Sequence, residues 1–168
     1  MSSAHLRFLV VGCGSIGKRH IKNLLALGAK DLFVYDTRQD RLAEARSELN
    51  VHTVDNLDQA WEKEPEVVLI TTPTSSHVPL ALQAAHRNSH LFIEKPFSDR
   101  LEGTSELIEV VRKQNLISLI GCNMRFHPGI LAVRSLISDG AIGRVVAARA
   151  EVGYYPPEWH PWEDYKDS

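Results

Sequence analysis

The six residues Gly12-Cys13-Gly14-Ser15-Ile16-Gly17 spell G-x-G-x-x-G, and they constrain the fold more than any other stretch of the chain. An apolar run, 6–11, precedes them, and Ile21, Leu24, Leu25 and Gly28 follow at helical spacing. A strand before and a helix after lift the pattern above a chance glycine turn. In that setting Gly12 permits a tight turn, Gly14 lets the backbone approach a pyrophosphate, and Gly17 lets helix and strand pack closely. The helix N-terminus then offers unpaired N–H groups and partial positive charge to phosphates. A second apolar segment, 32–35, ends in Asp36, close to the roughly 20-residue distance expected of an acid that binds a ribose. The combination predicts a dinucleotide site.

Beyond Asp36 the chain keeps alternating. Residues 38–49 read as an amphipathic helix, with Leu42, Ala45 and Leu49 on one face. A short strand is expected at 51–54, with Asp55 capping a helix through Trp61. Val67-Val68-Leu69-Ile70, within 66–71, suits a strand covered on both faces. A loop from Thr71 to His77 leads to helical spacing over 78–87, then a buried strand at 91–93 that ends in Glu94-Lys95-Pro96. Residues 99–115 read as a helix and 116–121 as a strand. This order predicts an α/β doubly wound parallel sheet over residues 1–122.

Past Cys122 the character changes. A polar, proline-punctuated turn spans 123–129, a helix is expected at 130–138, and 145–152 alternates as a strand would. The tail from Tyr154 to Trp162 is rich in aromatics and proline. Residues 123–168 therefore read as the incomplete start of a second domain.

Bulk properties narrow the function. A net charge of −2 argues against a nucleic-acid or membrane surface. No apolar run approaches the roughly 18 residues of a membrane span. Cys13 and Cys122 lack C-x-x-C spacing, so neither a disulfide framework nor a zinc site is expected. The chain reads as cytoplasmic.

At Gly12 to His20, at Glu94-Lys95-Pro96 and at Asn123-Met124-Arg125-Phe126-His127-Pro128 the sequence resembles the glucose–fructose oxidoreductase and inositol 2-dehydrogenase family, written Gfo/Idh/MocA. Members pair an N-terminal NAD(P)-binding Rossmann domain with a C-terminal α/β domain, and oxidise or reduce carbons of sugars, cyclitols and nucleotide sugars. The resemblance implies that Gly12, Gly14 and Gly17 form the phosphate turn, with backbone contacts from Ser15 and Ile16. It implies that Asp36 binds the ribose hydroxyls, which favours NAD. Arg38 nearby could accommodate a 2′-phosphate, which keeps NADP open. Thr71, Thr72, Pro73 and His77 match a loop along the cofactor, with Thr74 where the family commonly has Asn.

Lys95 is the residue the resemblance marks for catalysis, facing nicotinamide and the reacting hydroxyl. An ammonium there can hydrogen-bond a developing alkoxide or relay its proton. Glu94 orients the neighbourhood, the Lys95–Pro96 peptide is expected to be cis, and Arg125 matches a residue near nicotinamide and substrate. His127 reads as a cap of the Pro128 helix and not as a metal ligand. No stretch matches the family's D-x-x-x-H pattern of the second domain. The reading is thus an NAD(P)-dependent oxidoreductase acting by hydride transfer on a small sugar-like substrate, here truncated to its cofactor half, inactive alone and homo-oligomeric. Two alternatives stand beside it: a non-catalytic dinucleotide-binding module, and a remnant that pairs with another subunit.

Overall fold

The computed structural model describes residues 6–153. Six strands form one sheet: β1 (Arg7–Val11), β2 (Asp31–Tyr35), β3 (His52–Thr53), β4 (Val67–Ile70), β5 (His90–Ile93) and β6 (Ser118–Ile120). Their order is β3-β2-β1-β4-β5-β6, and every neighbouring pair is parallel. Helices α1 (Ser15–Ala26), α2 (Gln39–Leu49), α3 (Leu57–Glu62), α4 (His77–Ala85) and α5 (Thr104–Lys113) run between consecutive strands. This is the doubly wound sheet of the dinucleotide-binding fold, with the strand order reversing between β1 and β4.

The period-two pattern of β1 explains why both faces are covered. Phe8 and Val10 pack with Ile21 of α1 and Leu42 and Ala45 of α2. Leu9 and Val11 point the other way, into a cluster with Trp61, Ala81, Ala84 and Leu107 from α3, α4 and α5. A strand buried on both faces reads as a continuous apolar run, as Val67-Val68-Leu69-Ile70 does.

Four details depart from the sequence reading, each for a local reason. Helix α1 begins at Ser15 and ends at Ala26. Gly28 lies beyond its end at φ +85°, and the Gly28 and Ala29 N–H groups bond the Leu25 and Leu24 carbonyls in a Schellman closure. Gly28 is therefore the stop of the helix and no part of its packing face. Asn56, not Asp55, caps α3, its side chain accepting from the Gln59 N–H. Helix α5 starts at Thr104 and not at 99, because Gly103 is left-handed (φ +73°), which a right-handed helix interior does not admit.

The described residues divide into two compact units between Cys122 and Asn123. In the second, a 3-10 turn (Asn123–Phe126) precedes α6 (Pro128–Ser138). His127 caps α6 through Nδ1, which accepts from the Gly129 N–H at 3.1 Å. The fourth departure is here: residues 145–152 form no strand, because no described segment offers them a ladder to join. The aromatic tail from Tyr154 lies outside the described residues. Among those residues no helix is long and apolar enough to cross a membrane.

Candidate functional site

The register of the sheet assembles the site. Tyr35, Val11, Ile70, Ile93 and Ile120 stand side by side as the last paired residues of β2, β1, β4, β5 and β6. The next residue on each strand is then Asp36, Gly12, Thr71, Glu94 and Gly121. Five segments far apart in sequence thus deliver their polar or glycine residue to one row at the carboxyl edge. That edge, at the strand-order reversal, is where open α/β sheets hold ligands.

The glycine turn is built around two close approaches. Gly12 has φ +102°, and a Cβ there would lie 2.7 Å from the Thr71 carbonyl oxygen. A Cβ on Gly17 would lie 1.9 Å from the Gly12 oxygen, so only glycine lets α1 start against the turn. Gly14 differs: a Cβ on it would meet nothing nearer than Arg41 Nη1, at 3.7 Å. A Cβ there would make ordinary van der Waals contact with that one side-chain atom and meet no backbone. Among the described residues no side chain caps α1, and its first turn carries no acidic residue. The N–H groups of Ser15, Ile16 and Gly17 consequently have no acceptor within the helix.

Asp36 and Thr71 brace this turn. Buried Asp36 accepts the Cys13 N–H at 2.7 Å through Oδ2 and the Arg38 N–H at 2.9 Å through Oδ1. The Thr71 hydroxyl lies 2.7 Å from the Gly12 carbonyl oxygen and 3.0 Å from that of Val11. It therefore faces the turn itself and shapes it from beneath. Burial, and then the Asp36 carboxylate, push the Cys13 thiol up to about 12, so this cysteine is an inert part of the wall.

The cations near Asp36 are sorted by their partners. Arg38 pairs with Asp40 on α2, holding the Asp40 carboxyl down at about 2. Lys18 bridges to Glu44 at 2.7 Å and Glu48 at 3.2 Å, tying α1 to α2. Arg41, which the sequence reading did not single out, stands 3.7 Å from Asp36 Oδ2. Its only sequence signal is its place in the first turn of the helix after Asp36.

A second group forms beyond β4 and β5. Thr72 Oγ1 is buried without a hydrogen-bond partner, and Pro73, which is exposed, opens a 3-10 turn (Thr74–Ser76). His77 is buried, its Nε2 2.8 Å from the Thr72 carbonyl oxygen and its Nδ1 2.9 Å from that of Pro96. The ring thus stands between the Thr71–His77 loop and the Lys95–Pro96 loop, and as a neutral imidazole it donates to one of the two carbonyls. The Lys95–Pro96 peptide is cis, and Lys95 is exposed. Glu94 is buried, accepts the Lys95 N–H at 3.0 Å, and pairs with His20 at 2.8 Å. Gly121 completes this corner: a Cβ there would fall 2.8 Å from Glu94 Oε1. His20 closes a stretch that carries the family resemblance, but neither its pairing with Glu94 nor the place of Gly121 is legible locally, since the partner is distant in sequence. Arg125 lies in the second unit, exposed, within the turn Asn123–Phe126.

Two features fit an anionic dinucleotide: N–H groups at the start of α1 with no side-chain cap, beside Gly14, and a buried acid one strand away. The comparisons agree. Residues 6–122 match the model of the Gfo/Idh/MocA oxidoreductase family, described as having an NAD-binding Rossmann fold. The chain belongs to that family. It is 31% identical to a myo-inositol 2-dehydrogenase of Thermotoga maritima over 83% of its own length and 42% of the relative's. It is 34% identical to a UDP-N-acetylglucosamine 3-dehydrogenase of Acidithiobacillus ferrooxidans, over 77% of this chain and 41% of that one. A scyllo-inositol dehydrogenase of Lactobacillus casei, solved with NAD(H) and scyllo-inositol, superposes with a TM-score of 0.76 at 26% identity. That match covers 82% of this chain and 42% of the other. The chain thus spans about two-fifths of the length of these relatives.

Proposed function

We propose that this chain binds NAD at the carboxyl edge of β1, β2 and β4 and forms the cofactor half of an oxidoreductase. The whole protein would act on a hydroxyl or carbonyl carbon of a sugar, cyclitol or nucleotide sugar. The observation that carries this is the row Asp36, Gly12, Thr71 and Glu94, set beside a helix start that has no side-chain cap and begins after Gly14. The relatives named above support the substrate class. Bound NAD supplies a hydride acceptor or donor.

The residues of the chain divide the remaining work. First-turn N–H groups of Ser15, Ile16 and Gly17 hold the pyrophosphate, with Gly12 and Gly14 giving it access. Asp36 accepts from the ribose hydroxyls while bracing Cys13, and its charge repels a 2′-phosphate. NAD is therefore favoured over NADP, since Arg38 is already paired with Asp40. Thr71, Thr72, Pro73 and His77 shape the wall beside the cofactor. Lys95 is assigned the proton at the reacting hydroxyl oxygen, with Glu94 fixing its backbone and Arg125 on the substrate side. Residues 123–168 are assigned to the start of the substrate-side domain. Two free cysteines fit a cytoplasmic protein, and exposed Ile117 and Leu119 beside the β6 edge fit a homo-oligomer.

The test is Gly14→Val. A Cβ there meets nothing nearer than Arg41 Nη1, at 3.7 Å, so the fold should survive with a loss of about 1 kcal/mol for the poorer N-cap, while the side chain crowds the helix N-terminus. NADH affinity, read by fluorescence titration, is expected to fall at least about tenfold, equivalent to about 1.4 kcal/mol. Unchanged affinity in the folded variant would refute the assignment of the phosphate site.

A further inference from the structure

We infer that His20 is a positioning residue for Lys95, acting through the Glu94 carboxylate. The inference rests on the assignment of Lys95 to the reacting hydroxyl. His20 sits on α1, one turn past Gly17, and its ring packs edge-on against Phe92 of β5, with centroids 4.8 Å apart. That contact aims Nε2 at Glu94 Oε1, 2.8 Å away. The carboxylate accepts, so the proton in this bond belongs to His20 Nε2. The other oxygen, Oε2, accepts the Lys95 backbone N–H at 3.0 Å. With Oε1 held by His20 and the space beside it left open by Gly121, the carboxylate has one orientation, and the Lys95 N–H follows it.

The far side of the same loop is held independently, since the Pro96 carbonyl faces His77 Nδ1. The Lys95-Pro96 backbone is thus met at its donor by Glu94, which His20 holds, and at its acceptor by the His77 ring. Of these, only His20 shares an element with the phosphate turn. It therefore links the position of α1 to the position of Lys95. Buried polar pairs of this kind are worth most when their acceptors are filled, and both Glu94 oxygens have a partner.

The experiment compares the parent chain with His20→Ala and His20→Gln, whose side-chain amide can replace the Nε2–H donor. Hydrogen exchange of the Lys95 amide is read by NMR beside the amides of β1, and NADH affinity is measured in parallel. In His20→Ala, protection at Lys95 should fall about tenfold or more, while β1 amides stay unchanged and NADH affinity holds within about threefold. His20→Gln should recover most of the Lys95 protection. The inference is overturned if Lys95 protection survives in His20→Ala, if the loss spreads equally to β1, or if glutamine fails to restore it. A parent chain that binds no NADH would overturn the cofactor reading instead, and the amide comparison would still decide the role of His20.

Discussion

Asp36 does two jobs with one carboxylate. It accepts two backbone N–H groups, from Cys13 and Arg38, and under the proposed function it also accepts from the ribose hydroxyls. Hydrogen bonds to a charged acceptor are worth about 1.5–3 kcal/mol each, so this residue contributes to the turn's shape beside the recognition proposed for it. Cys13 beside it gives a test of the burial argument. Its thiol stays protonated in the folded chain far above its ordinary value of 9.0, whereas the unfolded chain ionises there. The unfolded state then binds fewer protons, so stability falls as pH climbs past 9.0 toward about 12. Denaturant unfolding across this window should show a steeper decline in the parent than in Cys13→Ala. Parallel declines would contradict the buried thiol.

Among the elements, β4 matters most to the site, because it ends in register with β1 and β5 and delivers Thr71. Ile70 is fully buried in the cluster beneath α3, α4 and α5. Ile70→Ala should lower unfolding free energy by about 2–5 kcal/mol in denaturant titration; a loss well under 1 kcal/mol would mean that the strand is not covered on both faces. How legible these elements were depends on the range of the forces that shape them. The glycine turn, the buried strands and Asp36 were readable because spacing and periodicity act over a few residues. The ends of α1 and α5 were not, since they turn on the left-handed glycines Gly28 and Gly103, which the helical pattern passes over. The switch from Asp55 to Asn56 at α3 is a choice between adjacent caps of similar propensity. His20 with Glu94, 74 residues apart, is a product of packing that no local pattern encodes.

At the scale of the whole molecule, the described residues hold a six-stranded parallel sheet of the NAD-binding Rossmann kind and a second unit from Asn123. Family membership was legible from Glu94-Lys95-Pro96 and the glycine turn together, and the family match over 6–122 agrees. The alternation over 145–152 misled, because a strand pattern becomes a strand only where a neighbouring ladder accepts it. The alternatives to an oxidoreductase half share the same cofactor fold, so the central claim is tested first by what the fold binds.

The most direct measurement is calorimetric titration of the chain with NADH and NADPH, beside Asp36→Ala. The account predicts a micromolar dissociation constant for NADH, about tenfold or weaker binding of NADPH, and NADH binding weakened at least about tenfold by the variant. Tighter binding of NADPH would contradict the role given to Asp36 and move recognition to Arg38 or Arg41. A folded chain that binds neither nucleotide would contradict the account itself.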